Sequence, residues 1–227
     1  MKKTLVLLTL AASAACGLAA DRHVFSMSFK VTALNGELMK PEMRERAAKW
    51  MRSHHITKVW LETYRHTEYV PTERLREHRD WFRKEGFDVC GLLTTTMLND
   101  PSKPGEKPPY VCCWTDPKAR ARLRAESIRA SSIFDTVLLD DFMFTMCKCP
   151  RCTAAKKASG KDWPDYRCDV MEDLCREEIE KPSKSANPKS RFIIKFQCWY
   201  KGWKSGGTDA KRLTDVFGAC WIGTETR

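Results

Sequence analysis

The stretch Phe134-Asp135-Thr136-Val137-Leu138-Leu139-Asp140-Asp141-Phe142 reads as a short apolar strand that runs into two adjacent acids. A strand so uniformly apolar is buried on both faces, which is the mark of a parallel sheet covered by helices. Outward from it in both directions, the chain alternates such strands with amphipathic helices. Strands are expected over residues 25–34, 56–61, 87–94, 134–139, 192–196 and 216–222. Apolar residues at helical spacing, with Pro, Asp or Gly near the ends, predict helices over 41–53, 71–85, 116–130 and 208–213. Residues 152–179 read as mostly helical with a break near 160–164.

Repeats of this kind fit a doubly wound sheet or a barrel. The polar residues sit at strand ends rather than in strand-to-helix turns, and no glycine-rich dinucleotide turn follows the first strand. The expected fold is therefore α/β, a parallel (β/α)8-type TIM barrel. A complete barrel takes about 250 residues and eight units. This sequence stops just after the sixth strand, at Arg227, so an incomplete barrel, the product of a truncated gene or a fragment, is expected, with two open sheet edges.

Residues 1–20 have the three parts of a secretory signal peptide: Lys2 and Lys3, an apolar core over 5–10, and mostly small residues over 11–20. The expectation is export to the periplasm or the extracellular space, with residues 21–227 as the barrel domain. Cys16 offers a second outcome, lipidation, which would be the chain's one attachment to a membrane. The formal charge is +11, or +9 without Lys2 and Lys3. Much of it lies in helix-like runs such as Lys118, Arg120, Arg122, Arg124 and Arg129, which read as solvated outer faces. The remaining basic character would suit anionic glycans or surfaces. The chain carries no recognisable nucleic-acid-binding module, so nucleic acid is not an expected partner.

Barrel enzymes carry their reacting groups at the C-terminal ends of strands. Here four ends carry such groups: Glu62 after the second strand, Asp140 and Asp141 after the fourth, Gln197, Trp199 and Tyr200 after the fifth, and Glu225 after the sixth. The segment 134–142 resembles the fourth strand of glycoside hydrolase barrels, in which an apolar strand ends in Asp or Asp-Asp followed by an aromatic residue. The lead-in Cys113-Trp114-Thr115-Asp116-Pro117 and the ending Trp221-Ile222-Gly223-Thr224-Glu225 are similar to the corresponding regions of those proteins. The resemblance spans most of the chain after residue 20.

Cleaving a glycosidic bond needs two carboxyl groups, one acting as acid and one as nucleophile or base. The resemblance to barrels of the α-galactosidase and α-glucosidase type implies a nucleophilic Asp after strand four and an acid after strand six. Asp140 or Asp141, and Glu225, occupy those places. Strand alternation points only one of the adjacent pair inward, and the resemblance favours Asp140; the other would bind a sugar hydroxyl or cap the turn. Glu62 has either a pocket role or a salt bridge with Arg65. Trp114, Trp199, Tyr200 and Trp203 could stack on sugar rings or simply pack, and Gln197 could bond hydroxyls. The Pro-rich stretch 101–109, with Tyr110, reads as a long loop walling the site.

Cys147-Lys148-Cys149-Pro150-Arg151-Cys152 brings three sulfurs close in sequence. A structural zinc would need a fourth ligand, with Cys112, Cys113, Cys168, Cys175 or a non-cysteine group as candidates; disulfides are the alternative that export allows. His54, His55, His66 and His78 read as surface residues. The expected function is an exported carbohydrate-active hydrolase that uses a carboxylate pair, takes an oligo- or polysaccharide and needs no catalytic cofactor. The alternative is a non-catalytic carbohydrate-binding or metal-stabilised barrel fragment.

Overall fold

The apolar strands pair in the order in which they occur along the chain. In the computed structural model, the structure describes residues 24–66, 68–96, 112–141, 143–197 and 200–222. Strand β1 (Phe25–Phe29) is followed by helices α1 (Val31–Asn35) and α2 (Pro41–Ser53), strand β2 (Ile56–Arg65), a two-residue strand β3 (Glu68–Tyr69) and helix α3 (Thr72–Lys84). Then come β4 (Asp88–Thr94), α4 (Pro117–Ser131), β5 (Thr136–Asp140), α5 (Pro150–Ser159), α6 (Trp163–Leu174), a π turn over Cys175–Glu180, α7 (Lys181–Ala186), β6 (Arg191–Phe196), α8 (Ala210–Phe217) and β7 (Cys220–Ile222). Apart from β3, which folds back antiparallel on β2, the strands lie in the order β1-β2-β4-β5-β6-β7 and every neighbouring pair is parallel. A doubly wound sheet would reverse that order partway. This one never reverses, and it forms a six-stranded part of a β/α barrel.

The sheet also curls. Trp60 on β2 and Trp221 on β7 are four strand spacings apart, about 19 Å along a flat sheet, yet their ring centroids lie 6.1 Å apart. The concave side holds a small apolar cluster of Trp60, Cys90, Leu92 and Leu138, with Ile193 against it. The larger core lies between the sheet's convex side and the helices. Glycine is required at one point of that layer: a Cβ on Gly91 would stand 2.6 Å from the buried Phe134 ring. No helix among the described residues is long and apolar enough to cross a membrane.

Several boundaries differ from the sequence expectation, each for a physical reason. The first strand ends at Phe29, and residues 31–35 turn helical because Val31 N–H donates to Glu62 Oε2 at 3.0 Å. That carboxylate, supplied by β2, sits where a helix N-terminus favours negative charge. Near the C-terminal end, Leu213, Val216 and Phe217 are buried at helical spacing and Gly218 closes α8 in the left-handed conformation, leaving a final strand of only Cys220–Ile222. The long helical region breaks at Gly160, as expected, and restarts with Asp162 accepting from Asp165 N–H. It then runs past Ile179 to Ala186, and the π turn precedes Pro182, which has no N–H to give.

Two surface readings are corrected. His78 is fully buried, with Nε2 2.9 Å from Leu34 O, and burial pushes its pKa down. Of the α4 cations, Lys118 and Arg124 are exposed as read, while Arg120, Arg122 and Arg129 are partly buried. Arg120 and Arg124 each donate to the buried Glu178 at 2.7 Å, while Arg122 and Arg129 pair with the buried Glu126. Asp116 caps α4 as the sequence predicts, accepting from Lys118 N–H.

Candidate functional site

Four strands share one pattern on the concave side: an apolar residue followed two positions later by a polar one. Trp60 leads to Glu62, Leu92 to Thr94, Leu138 to Asp140 and Ile193 to Lys195. Because strand side chains alternate, the second member of each pair points inward one layer above the first. The C-terminal rim of the sheet therefore carries a polar layer directly above the apolar one.

The polar layer is an ion-pair network. Lys195 Nζ lies 2.7 Å from Asp140 Oδ1, and Arg65 Nη2 lies 3.2 Å from Asp140 Oδ2. The same guanidinium reaches Glu62 Oε1 at 2.6 Å through Nε and Asp141 Oδ2 at 3.4 Å through Nη1. Thr94 Oγ1 donates to Glu62 at 2.7 Å, and Thr96 Oγ1 to Asp141 at 3.1 Å. Burial works against Arg65's charge, but Glu62, Asp141 and Asp140 together overcome it and hold its pKa above the ordinary value.

Strand alternation would send Asp140 and Asp141 to opposite sides. The chain escapes that rule at Asp141, whose φ is +56°. This left-handed turn ends β5 and brings both carboxylates to the same guanidinium. Asp tolerates the conformation better than most residues, and such departures gather at functional sites.

The remaining sequence candidates divide. Glu62 is buried, with Oε1 bonded to Arg65 and Thr94 and Oε2 to Val31 N–H, so it is both ion-paired and part of the rim. Trp114 is 2% exposed and its indole N–H donates to Phe144 O at 3.0 Å. Gln197 is buried two positions beyond Lys195, and its side-chain oxygen has no hydrogen-bond partner among the described residues. Trp199, Glu225 and the stretch 101–110 lie outside the described residues, and Tyr200 opens a short 3-10 turn, Tyr200–Gly202. Sequence reading missed Lys195 and Thr94. Their signal was present: a lone lysine inside the apolar run Phe192-Ile-Ile-Lys-Phe196, and a threonine at a strand's last position.

A second cluster lies beside the rim. Cys113, just before α4, meets Cys147, Cys149 and Cys152 from the segment after β5, with all four sulfurs within 4.8 Å of one another. Cys113 Sγ is 3.7 Å from Cys149 Sγ and 3.6 Å from Cys152 Sγ, and none of the four is in a disulfide. Cys113 is thus the fourth member, whereas Cys168 lies near Lys204 O and Cys175 is enclosed in the π turn. Sulfurs at the corners of a tetrahedron, about 2.3 Å from its centre, stand about 3.8 Å apart. A disulfide needs about 2.05 Å. The group could hold a metal ion. Thr115 Oγ1 lies 3.2 Å from Cys113 Sγ and 3.1 Å from Cys152 Sγ, and Cys149 stands at the N-cap position of α5 without a side-chain capping bond.

A family model described as probable glycosyl hydrolase, catalytic domain, matches residues 14–227. An uncharacterized protein of Saccharolobus solfataricus is 20% identical over 89% of this chain, and the matched region is 38% of that protein. The chain thus spans about two fifths of the length of that curated relative. Among solved structures, a sugar phosphate isomerase/epimerase from Parabacteroides distasonis aligns with 87% of this chain and 68% of its own at 10% identity and a TM-score of 0.48. A GH10 endoxylanase from a sugarcane soil metagenome aligns with 78% of this chain and 49% of its own at 10% identity and a TM-score of 0.43.

Proposed function

We propose, from the premise that this chain belongs to the family of probable glycosyl hydrolase catalytic domains, that it cleaves glycosidic bonds with Asp140 as the anionic group at the sugar. The observation that carries this reading is the setting of Asp140 at the inner rim between Lys195 and Arg65. A carboxylate at the inner rim presents an anionic oxygen to the site, which is what a nucleophile or an electrostatic stabiliser of an oxocarbenium-like centre must supply. Asp141, held by Thr96 and the same guanidinium, is a partner for a sugar hydroxyl. Gln197 is a further hydroxyl partner, because its buried oxygen has a bond to accept. Glu225 takes the acid's role.

Residues 1–20 act as an export signal in this reading, with the domain working outside the cytoplasm on an oligo- or polysaccharide. Lipidation at Cys16 is the route by which it would stay at a membrane. The four sulfurs take a structural zinc that has no part in bond cleavage.

The test is turnover of aryl glycosides by the chain and by Asp140→Asn, with circular dichroism as a check on folding. Loss of turnover with the spectrum unchanged supports the assignment. Unchanged turnover removes Asp140 from the chemistry. Sugar binding without turnover in the parent chain makes this a binding domain.

A further inference from the structure

We infer that Cys113, Cys147, Cys149 and Cys152 hold one zinc ion that ties together the two loops flanking the acid pair, so that metal occupancy governs the order of the segment carrying Asp141. The part of this inference that concerns catalysis rests on the hydrolase reading; the part that concerns metal and loop order does not.

The two loops are already joined at their near ends. Where they leave the sheet, Thr96 Oγ1 donates to Asp141 and Thr95 N–H to Asp140 O. At their far ends the second junction is the sulfur cluster, with Cys113 from one loop and Cys147, Cys149 and Cys152 from the other. The proposed ion is thus a second junction between the chain before α4 and the chain after β5.

The segment between Asp141 and the cluster depends on the same neighbourhood. Trp114, next to Cys113, donates to Phe144 O; Thr145 N–H donates to Gly206 O; Arg167 donates to Met146 O. Displacing Cys113 would move Trp114 and so loosen the backbone two to three residues beyond Asp141. The chemistry of the site selects zinc. Four thiolates around a divalent ion leave a charge of −2, and two cations, Lys148 and Arg151, are interleaved with the ligands in sequence, Arg151 being paired with Asp116 at 3.2 Å. Sulfur ligands at tetrahedral spacing favour zinc over harder cations. On binding, each thiol releases its proton to solvent as its sulfur takes the ion.

The experiment uses the full chain, loaded with zinc and then stripped by a chelator. Metal content and hydrogen exchange are read by mass spectrometry, alongside aryl-glycoside turnover. The expected result is one zinc per chain, with amides at 112–116 and 143–149 exchanging at least about tenfold faster once it is removed, and re-protected when zinc returns. Cobalt in its place should give the visible absorption of a tetrahedral thiolate site. Cys113→Ser should lose the ion, and Cys220→Ser, an exposed cysteine away from the cluster, should keep it. No bound zinc, or a disulfide within the four, overturns the site. Zinc bound with equal exchange in both forms overturns the tie. Absence of glycoside turnover in both forms counts against the hydrolase reading alone, since metal content and exchange are read without a sugar.

Discussion

The Trp60 and Trp221 rings, from the second and the last strand of the described sheet, meet at 6.1 Å across its concave side. The contact is unequal, because Trp60 is 5% exposed and Trp221 40%. Trp60→Ala would open a cavity in the inner layer and should cost about 3–5 kcal/mol. Trp221→Ala should cost much less. Both should lose the same part of the near-ultraviolet circular dichroism. Equal urea midpoints for the two variants would show that the inner layer is not packed as described.

Arg65 is the common partner of three carboxylates, and Glu62 among them is buried. Arg65→Met keeps much of the bulk and removes the charge, leaving that acid uncompensated. Breaking a buried pair from one side costs about 3–5 kcal/mol. The double variant Arg65→Met/Glu62→Gln should recover part of the loss, as read from urea unfolding. No recovery would place the cost in packing instead of charge.

Asp141 has a conformational role separable from its charge. Asn also tolerates a φ of +56°, whereas a β-branched residue does not. Asp141→Val should therefore destabilise by about 1–2 kcal/mol more than Asp141→Asn. On the proposed function, both variants should weaken sugar binding by losing the carboxylate. Equal stability of the two in urea would mean that the turn carries no strain worth measuring.

Glu178 sets an acid limit on stability. Burial pushes its carboxyl up, but hydrogen bonds and charge from Arg120 and Arg124 outweigh it and hold the pKa below its ordinary value. A carboxyl lowered in the folded state stabilises in full above its unfolded pKa of about 4.3. That contribution is lost as pH falls through the lower, folded value. Glu178→Gln should thus reduce Tm at neutral pH, and the gap from the parent chain should close in acid. A gap that stays constant with pH would assign the effect to shape.

The sequence discloses those parts of the fold that local pattern controls. The strands around Val59, Leu92, Leu138 and Ile194 are apolar runs of the right length, and Asp116 and Gly160 mark helix ends by their own chemistry. It conceals what distant residues decide. Helix α1 exists where a strand is expected because Glu62, 31 residues away, accepts its first N–H. His78 looks like a surface residue because its neighbours in sequence are charged, though the fold buries it. At the rim, the acids Asp140 and Asp141 are legible from their place at a strand end. Their cations are less so, since Lys195 gains meaning only when β6 pairs with β5. The cysteine run 147–152 announces itself, while Cys113 is one of several candidates until the loops meet.

Asp140 also has a history in time. The chain makes it 75 residues after Arg65 and 55 residues before Lys195. At about 5–20 residues per second of synthesis, the aspartate precedes its lysine by about 3–11 s. During that interval Arg65, on a strand completed earlier, is the cation within reach, and it also holds Glu62. The order of synthesis therefore gives Asp140 its arginine before the lysine exists.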